Sequence, residues 1–372
     1  MERAILTLNA GSSSIKYALF DAAGDPNRAL QSGQVEGIGT RGGPVDHQAA
    51  LAGVMARIDR DAQIVAVGHR IVHGGTRFSA PCLIDEAVIA EIAALVPLAP
   101  LHQPHNLAAM HAAHRAFAGI PQVACFDTAF HHDMPEVHQR FAIPDELFQH
   151  GIRRYGFHGL SYESIVAQMH AQHPELVKSR LVIAHLGNGC SMAALKEGRP
   201  ITTTMSFSPL DGLTMGTRCG RIDAAVVLHL QQQVGWSVEE VSKLLHRGSG
   251  LLGLSGLSSD MRELEAAAAT GHAGAQRAID YFVEQALREL AGLAAALRGL
   301  DALVFTGGIG EHSALIRERI TAQAGWLGIQ PEHAGHGLGA PVHVLVLRTD
   351  EEAVIAQHVQ KMVSPRRAES IE

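Results

Sequence analysis

Two short stretches of this 372-residue chain resemble each other: Ile5-Leu6-Thr7-Leu8-Asn9-Ala10-Gly11-Ser12-Ser13-Ser14-Ile15-Lys16 and Leu181-Val182-Ile183-Ala184-His185-Leu186-Gly187-Asn188-Gly189-Cys190-Ser191-Met192. Each is an apolar run that ends in a turn of Gly, Ser and Asn. Each then continues into a second strand-like run, Ile15 to Phe20 in one and Met192 to Leu195 in the other. Such a pattern predicts a β-hairpin with a polar, glycine-bearing turn. Setting Gly11 on Gly189 sets Ser13 on Ser191, a shift of nearly half the chain, and the reading is a duplicated domain. Length agrees: 372 residues exceed the size at which one core usually stops growing, so two domains are expected.

Further apolar runs bounded by turns read as buried strands: Ile64 to Val67, Gln122 to Phe126, Ala302 to Phe305 and Val342 to Leu347. Between them, Ile279, Phe282, Val283, Ala286, Leu287, Leu290, Leu293, Ala294 and Leu297 recur at spacings of three and four. They predict a long amphipathic helix stopped by Gly299. Strands mixed with helices in this way define an α/β protein whose helices cover sheet faces. The Gly- and Pro-rich stretch from Ala22 to Asp46 reads as surface loop with weak edge strands. The tail after Val363 is expected to fray.

Composition removes several classes of function. A net charge of −7 and a pI of about 6.4 leave no basic surface for nucleic acid or an anionic membrane. The first residues turn polar at Asn9, too soon for a signal sequence or a membrane span, so a cytoplasmic protein is expected. Cys82, Cys125, Cys190 and Cys219 show no C-x-x-C spacing, which argues against a disulfide framework and a structural zinc site. Among the 23 histidines, His69 with His73 and His102 with His105 invite a metal reading. His69 to His73 reads as a strand end, however, so the two rings need not share a face.

A G-x-G-x-x-G match at Gly248 to Gly253 lacks the strand it needs before it, because Val238 to Arg247 reads as a helix with Gly248 as its cap. No P-loop motif occurs. Three other glycine-rich turns follow predicted strands: Asn9 to Ser14, His185 to Gly189, and Gly307 to Glu311. Glycine lets backbone amides approach phosphate oxygens, and the third turn leads into a helix from Ala314 to Ala324 whose N-terminus favours anions. Arg70 and Arg218 lie beside a strand end and a glycine-rich turn respectively, and a guanidinium fork matches a carboxylate or phosphoryl group in two-point contact. His158 in Tyr155-Gly156-Phe157-His158-Gly159 and Asp127 in Cys125-Phe126-Asp127-Thr128 accompany them.

With these motifs in order, and with Gly68-His-Arg-Ile-Val-His-Gly-Gly75, Ser208-Pro-Leu-Asp-Gly-Leu213, Met215-Gly-Thr-Arg-Cys-Gly220 and Phe305-Thr-Gly-Gly-Ile-Gly-Glu311, the chain resembles the acetokinase family of the sugar-kinase, heat-shock and actin superfamily nearly end to end. That resemblance implies two domains of duplicated ribonuclease H-like (actin-like ATPase) fold, with ATP in the interdomain cleft, and a homodimer. The domains would be 1–128 plus 353–372, and 129–352. It implies phosphoryl exchange between ATP and acetate, with propionate as the alternative acid and a non-catalytic nucleotide-binding scaffold as the remote one. By likeness, Asn9 and Glu351 serve Mg2+ (or Mn2+) and Lys16 approaches ATP phosphate. His185, Leu186, Gly187, Asn188, Gly189, Asp260, Met261, Arg262, Gly308, Ile309, Gly310, Glu311 and His312 line the nucleotide. Arg70 holds the substrate carboxylate against an apolar wall of Val72, Leu101, Phe157 and Pro209. Asp127 is the family's acid/base, and His158 with Arg218 steadies the transferring phosphoryl.

The chemistry refines one of those roles. Carboxylic acids titrate near about pH 4 to 5, so the acceptor is already ionised at neutral pH and needs no base. Asp127 is therefore expected to orient an arginine or the metal's waters. The chain departs from the family pattern at His312 and Asp350, where Asn is more usual, at Gln103 and His105, and in a shortened Ala22 to Asp61 region.

Overall fold

The computed structural model describes residues 2–58, 62–329 and 341–363; the tail beyond Val363 lies outside them. The chain divides into two compact units, Met1–His132 with Asp350–Glu372, and Asp133–Thr349. Among the described residues no helix is long and apolar enough to cross a membrane, and the four cysteines are free thiols.

In the first unit, strands β1 (Glu2–Ala10), β2 (Ser14–Asp21), β3 (Ala29–Glu36), β4 (Ala62–Ile71), β5 (Cys82–Leu83) and β6 (Gln122–Phe126) form one sheet in the order β3-β2-β1-β4-β6-β5. The pairs β1·β2 and β2·β3 are antiparallel, whereas β1·β4 and β4·β6 are parallel. In the second unit, β7 (Arg180–Leu186), β8 (Cys190–Lys196), β9 (Arg199–Thr203), β10 (Ala302–Thr306) and β11 (His343–Val346) follow the order β11-β10-β7-β8-β9. Here too a three-strand antiparallel meander, β7-β8-β9, continues into two parallel strands, β10 and β11. The repeat is thus one of topology, with β1, β2, β3, β4 and β6 answering to β7, β8, β9, β10 and β11. The hairpin turns occupy 11–13 and 187–189, so Gly11 corresponds to Gly187 and not to Gly189.

Several boundaries differ from expectation for physical reasons. The Ala22 to Asp46 stretch contains an eight-residue edge strand, β3, whose many exposed side chains hide its periodicity. The long helix spans Ala273–Leu297, starting before its apolar stripe because His272 caps it, and at its end Arg298 itself adopts the left-handed conformation (φ 58°). Gly248 does end the Val238–Arg247 helix, but at φ −113°. The glycine-rich segment after β10 is not an open turn: Gly307–His312 forms a short helix before the helix Ala314–Gln323. Gly307 makes that junction possible, since its φ is +77° and a Cβ there would lie 2.8 Å from the Leu186 carbonyl oxygen.

Side-chain alternation along the strands sorts the first unit into layers. Ala4, Leu6, Leu8 and Ala10 pack with Ile15, Tyr17 and Leu19 against the helices His47–Met55 and Gln103–Ala116. Ala18 and Phe20, of opposite parity, meet Ala353 and Ala356 of the C-terminal helix Glu351–Val363. That helix also packs on β4, where a Cβ on Gly68 would come within 2.4 Å of Ile355 Cγ2 and 2.8 Å of Val359 Cγ2. In the second unit the helix Ala273–Leu297 packs on β7, β8 and β9.

His69 is buried in β4 and its Nε2 lies 2.8 Å from Gln122 Oε1. Burial pushes its pKa down to about 4, against the opposing effect of the Gln122 bond, and burial likewise pushes His73 down to about 4. Between about pH 4 and the ordinary histidine value of 6.5, the unfolded chain binds protons that the folded chain refuses. Stability is therefore full above that window and falls as pH falls through it. Urea unfolding should show a lower midpoint at pH 5 than at pH 7, and His69→Gln should shrink that difference by the equivalent of about 1 kcal/mol or more. An unchanged pH response in the variant would count against the buried neutral imidazole.

Candidate active site

Parity carries Asn9 of β1 and Arg70 of β4 to the face covered by the C-terminal helix, whose first residue is Glu351. Arg70 donates from Nε to Asp127 Oδ1 at 2.8 Å and from Nη2 to Asp127 Oδ2 at 2.6 Å, a two-point clamp. Its Nη1 donates to Asn9 Oδ1 at 3.1 Å and lies 3.5 Å from Glu351 Oε2, to which Asn9 Nδ2 also donates at 3.4 Å. Asp127, just beyond β6, is anchored by its own amide, which donates to the Ile71 carbonyl. Burial works against the Arg70 charge, but Asp127 and then Glu351 more than offset it and raise its pKa. Glu351 is pushed up to about 7, first by burial and then by the neighbouring carboxylates of Asp127 and Glu352, while Arg70 and Lys16 pull the other way. Lys16 on β2 is exposed. Val72 and Leu101 are half-buried in this unit.

No group of three or more His, Cys, Asp or Glu among the described residues is arranged as a metal cage. Mg2+ requires no such cage, since it keeps several waters and uses one or two carboxylates plus substrate phosphates. A buried carboxylate with two acidic neighbours suits a hard dication, and Asn9 beside it carries an amide oxygen that here accepts from Arg70, so the donor types of Asn9 and Glu351 fit the ion expected of them.

In the second unit, His158 precedes the helix Gly159–Gln172 in the left-handed region, at φ 59°. That conformation costs about 1 to 2 kcal/mol for a side chain with a Cβ, so neighbours must hold it. Its Nδ1 lies 2.8 Å from Ser191 Oγ on β8, which also contacts the Tyr162 hydroxyl, and its ring stacks on His185 at 4.3 Å between centroids. His185 Nδ1 is in turn 2.8 Å from Ser161 Oγ. The Arg218 guanidinium donates through Nη1 to the Pro209 carbonyl. A Cβ on Gly189 would fall 2.6 Å from Arg218 Nη2 and 3.3 Å from His158 Nε2, so both side chains close on this one glycine. Gly216 is as constrained, because a Cβ there would lie 2.2 Å from Asn188 Oδ1. Phe157 is buried and Pro209 half-buried.

A cavity of about 670 Å³ opens beside this turn, lined by Gly187, Asn188, Asp260, Met261, Arg262, Gly308, Ile309 and His312, and also by Ser259, Glu265 and Ser313. His185, Leu186, Gly189, Gly310 and Glu311 do not line it, and Lys16 belongs to the other unit. Glu311 turns inward: its Oε1 accepts from Thr306 Oγ1, Gly307 N and Thr349 N, fixing the short helix. Asp260 caps the helix Met261–Ala269 and forms a two-point pair with Arg262, which lowers the Asp260 pKa. Ser191, Ser161, Glu265 and Ser313 escaped the sequence reading because hydroxyls and a lone carboxylate carry no spacing signal. Only the repeated hairpin, which contains Ser191, hinted at one of them.

An arginine and a histidine fixed beside a glycine turn, a carboxylate cluster around a second arginine and a nucleotide-sized cavity belong to the phosphotransferases built on a repeated α/β unit, not to the P-loop class. The acetokinase family profile matches residues 4–357. The acetate kinase of Methylocella silvestris is 44% identical, over 96% of this chain and 97% of its own length. Among solved structures, a propionate kinase from Francisella tularensis matches with a TM-score of 0.88 at 36% identity, covering 96% of this chain and 99% of its own. The acetate kinase of Porphyromonas gingivalis matches with 0.84 at 36%, covering 97% and 99%. The chain belongs to the acetokinase family, and its two mixed sheets have the actin-like ATPase fold.

Replacing Gly189 by Ala should displace the Arg218 guanidinium and slow phosphoryl transfer by about 10- to 100-fold while the melting temperature stays within a few degrees. Turnover beside thermal melting checks this, and wild-type turnover in the variant would contradict the crowding at this glycine.

Proposed function

We propose that this chain is an acetate kinase, catalysing Mg2+-dependent, reversible transfer of the γ-phosphoryl of ATP to acetate to give acetyl phosphate and ADP. The observation that carries the mechanism is the Arg70–Asp127 clamp. A guanidinium has five N–H donors on two usable edges. Asp127 takes the Nε and Nη2 donors and Nη1 donates to Asn9, so an incoming carboxylate is received by the second N–H of each terminal nitrogen. The acid then arrives as an ionised, oriented nucleophile, and no residue need take a proton from it. Asp127 acts by aiming Arg70.

The transferring phosphoryl group carries negative charge on its equatorial oxygens, so positioned cations supply most of the acceleration. His158 and Arg218, held within reach of Gly189, are assigned that task. The cavity lined by Asn188, Asp260, Arg262 and His312 is assigned to ADP and ATP. Bound at Asn9 and Glu351, Mg2+ supplies charge neutralisation of the phosphate oxygens. The two-point carboxylate clamp disfavours a non-catalytic scaffold, which has no use for one. A homodimer is supported by the helix Ala224–Gln232, which buries none of its residues within the chain while Val226 and Leu228 stand exposed with Ile222, Val234 and Trp236 nearby.

Propionate is a second acceptor on this reading. The likeness to the Francisella propionate kinase favours it, and an apolar wall such as Val72 and Leu101 offer separates acids differing by one methylene by only about 1 to 3 kcal/mol.

Trapping the acyl phosphate with hydroxylamine, with acetate, propionate and butyrate in parallel, tests the proposal. Acetate should give hydroxamate in an ATP- and Mg2+-dependent reaction, and Arg218→Ala should reduce it by about 10²- to 10³-fold or more with the fold intact. No hydroxamate from any of the three acids would sink the proposal.

A further inference from the structure

We infer that Asn106 is a positioning residue for the acid and metal sites, acting as a spacer inserted between the strands that carry Asn9 and Arg70. The inference rests on the acetate kinase reading and deepens it. The parallel register of β1 with β4 runs to the pair Leu8 and His69 and then stops. Continued by two residues it would set Ala10 opposite Ile71, where a direct bond from the Val72 amide to the Ala10 carbonyl would be the next rung. The side chain of Asn106 takes that place. Its Nδ2 donates to the Ala10 carbonyl at 3.0 Å and its Oδ1 accepts from the Val72 amide at 3.0 Å. Asn106 is only 2% exposed, and it reaches the sheet from the helix Gln103–Ala116 on the face opposite Glu351.

Two consequences follow from one carboxamide standing where a direct bond would be. The strand ends are held apart by the width of an amide, and both orphaned backbone groups are satisfied inside the core, where an unmet one would cost about 1 to 3 kcal/mol. The residues fixed in this way are those next to the proposed chemistry. Ala10 follows Asn9, Val72 is itself in the proposed acid wall, and Arg70 stands two residues before it. The Arg70 to Asn9 contact at 3.1 Å bridges the same gap on the other face. Gln103, one turn earlier on the helix, reinforces the arrangement by donating from Nε2 to the His73 carbonyl at 2.9 Å. The first turn of this helix thus grips the backbone of residues 72 and 73 at two points, immediately after Leu101 of the same wall.

Asn106 touches neither acid nor nucleotide in this assignment, so its removal should fall selectively on the acid side. Asn106→Ala should raise the KM for acetate by about tenfold or more and raise the Mg2+ concentration needed for half-maximal rate, while the KM for ATP stays within about twofold. An acetate KM equal to wild type in a variant that melts normally would overturn the inference. Where Asn106→Ala moves both KM values together or fails to fold, Asn106→Asp decides, because it keeps the shape and the acceptor to Val72 but has a donor for Ala10 only when its carboxyl is protonated. Acetate KM in that variant should recover towards wild type as pH falls from 8 to 6, relative to wild type over the same range, and a profile parallel to wild type would overturn the inference. Failure of the wild-type chain to form acetyl hydroxamate would instead sink the functional reading, so the two failures are distinguishable.

Discussion

Arg70 is the point at which four distant parts of the chain are tied together. Its guanidinium meets Asp127 from the end of β6, Asn9 from β1 and Glu351 from the C-terminal helix, all on one face of one sheet. Two carboxylates brought this close would repel each other without a cation between them, and burial adds to the penalty, as the elevated Glu351 pKa records. The guanidinium offsets that repulsion. Close packing of the C-terminal helix on Gly68 is what delivers Glu351 to this position, so a packing constraint in the core and the electrostatics of the site are linked.

The second unit solves a related problem with different parts. There the side chains of His158 and Arg218 crowd a glycine, with His158 held beside Ser191 and Arg218 donating to the Pro209 carbonyl. Strain at the left-handed His158 is held by Ser191 and by the stacked His185.

Much of this was legible in the residues. The hairpin repeat at Ile5 to Lys16 and Leu181 to Met192 announced the duplication because apolar runs and a glycine turn are local signals, and the four later apolar runs all lie in or on strands. The exact correspondence was not legible, since only pairing register puts Gly11 on Gly187. The helical form of Gly307–His312 was hidden by a composition that favours turns, and tertiary contacts through Glu311 override it. Of the site, the charged residues were visible because Arg, Asp and His in glycine-rich contexts are unusual. Asn106 was not, because an amide on an apolar helix face looks like any other polar residue until its backbone partners are known. Two of the chain's departures also find a physical account. Asp350 caps the C-terminal helix by accepting from the Ala353 amide, a task Asn performs equally well, and Gln103 reaches a backbone carbonyl in the core.

The central claim is that the planar fork of Arg70, aimed by Asp127, is what receives the acid. Arg70→Lys tests it most directly, because lysine keeps the charge but cannot hold Asp127 and a substrate carboxylate on two edges at once. Steady-state kinetics of that variant should give an acetate KM raised by about tenfold or more with the KM for ATP nearly unchanged. An acetate KM equal to that of the unaltered chain would contradict the account.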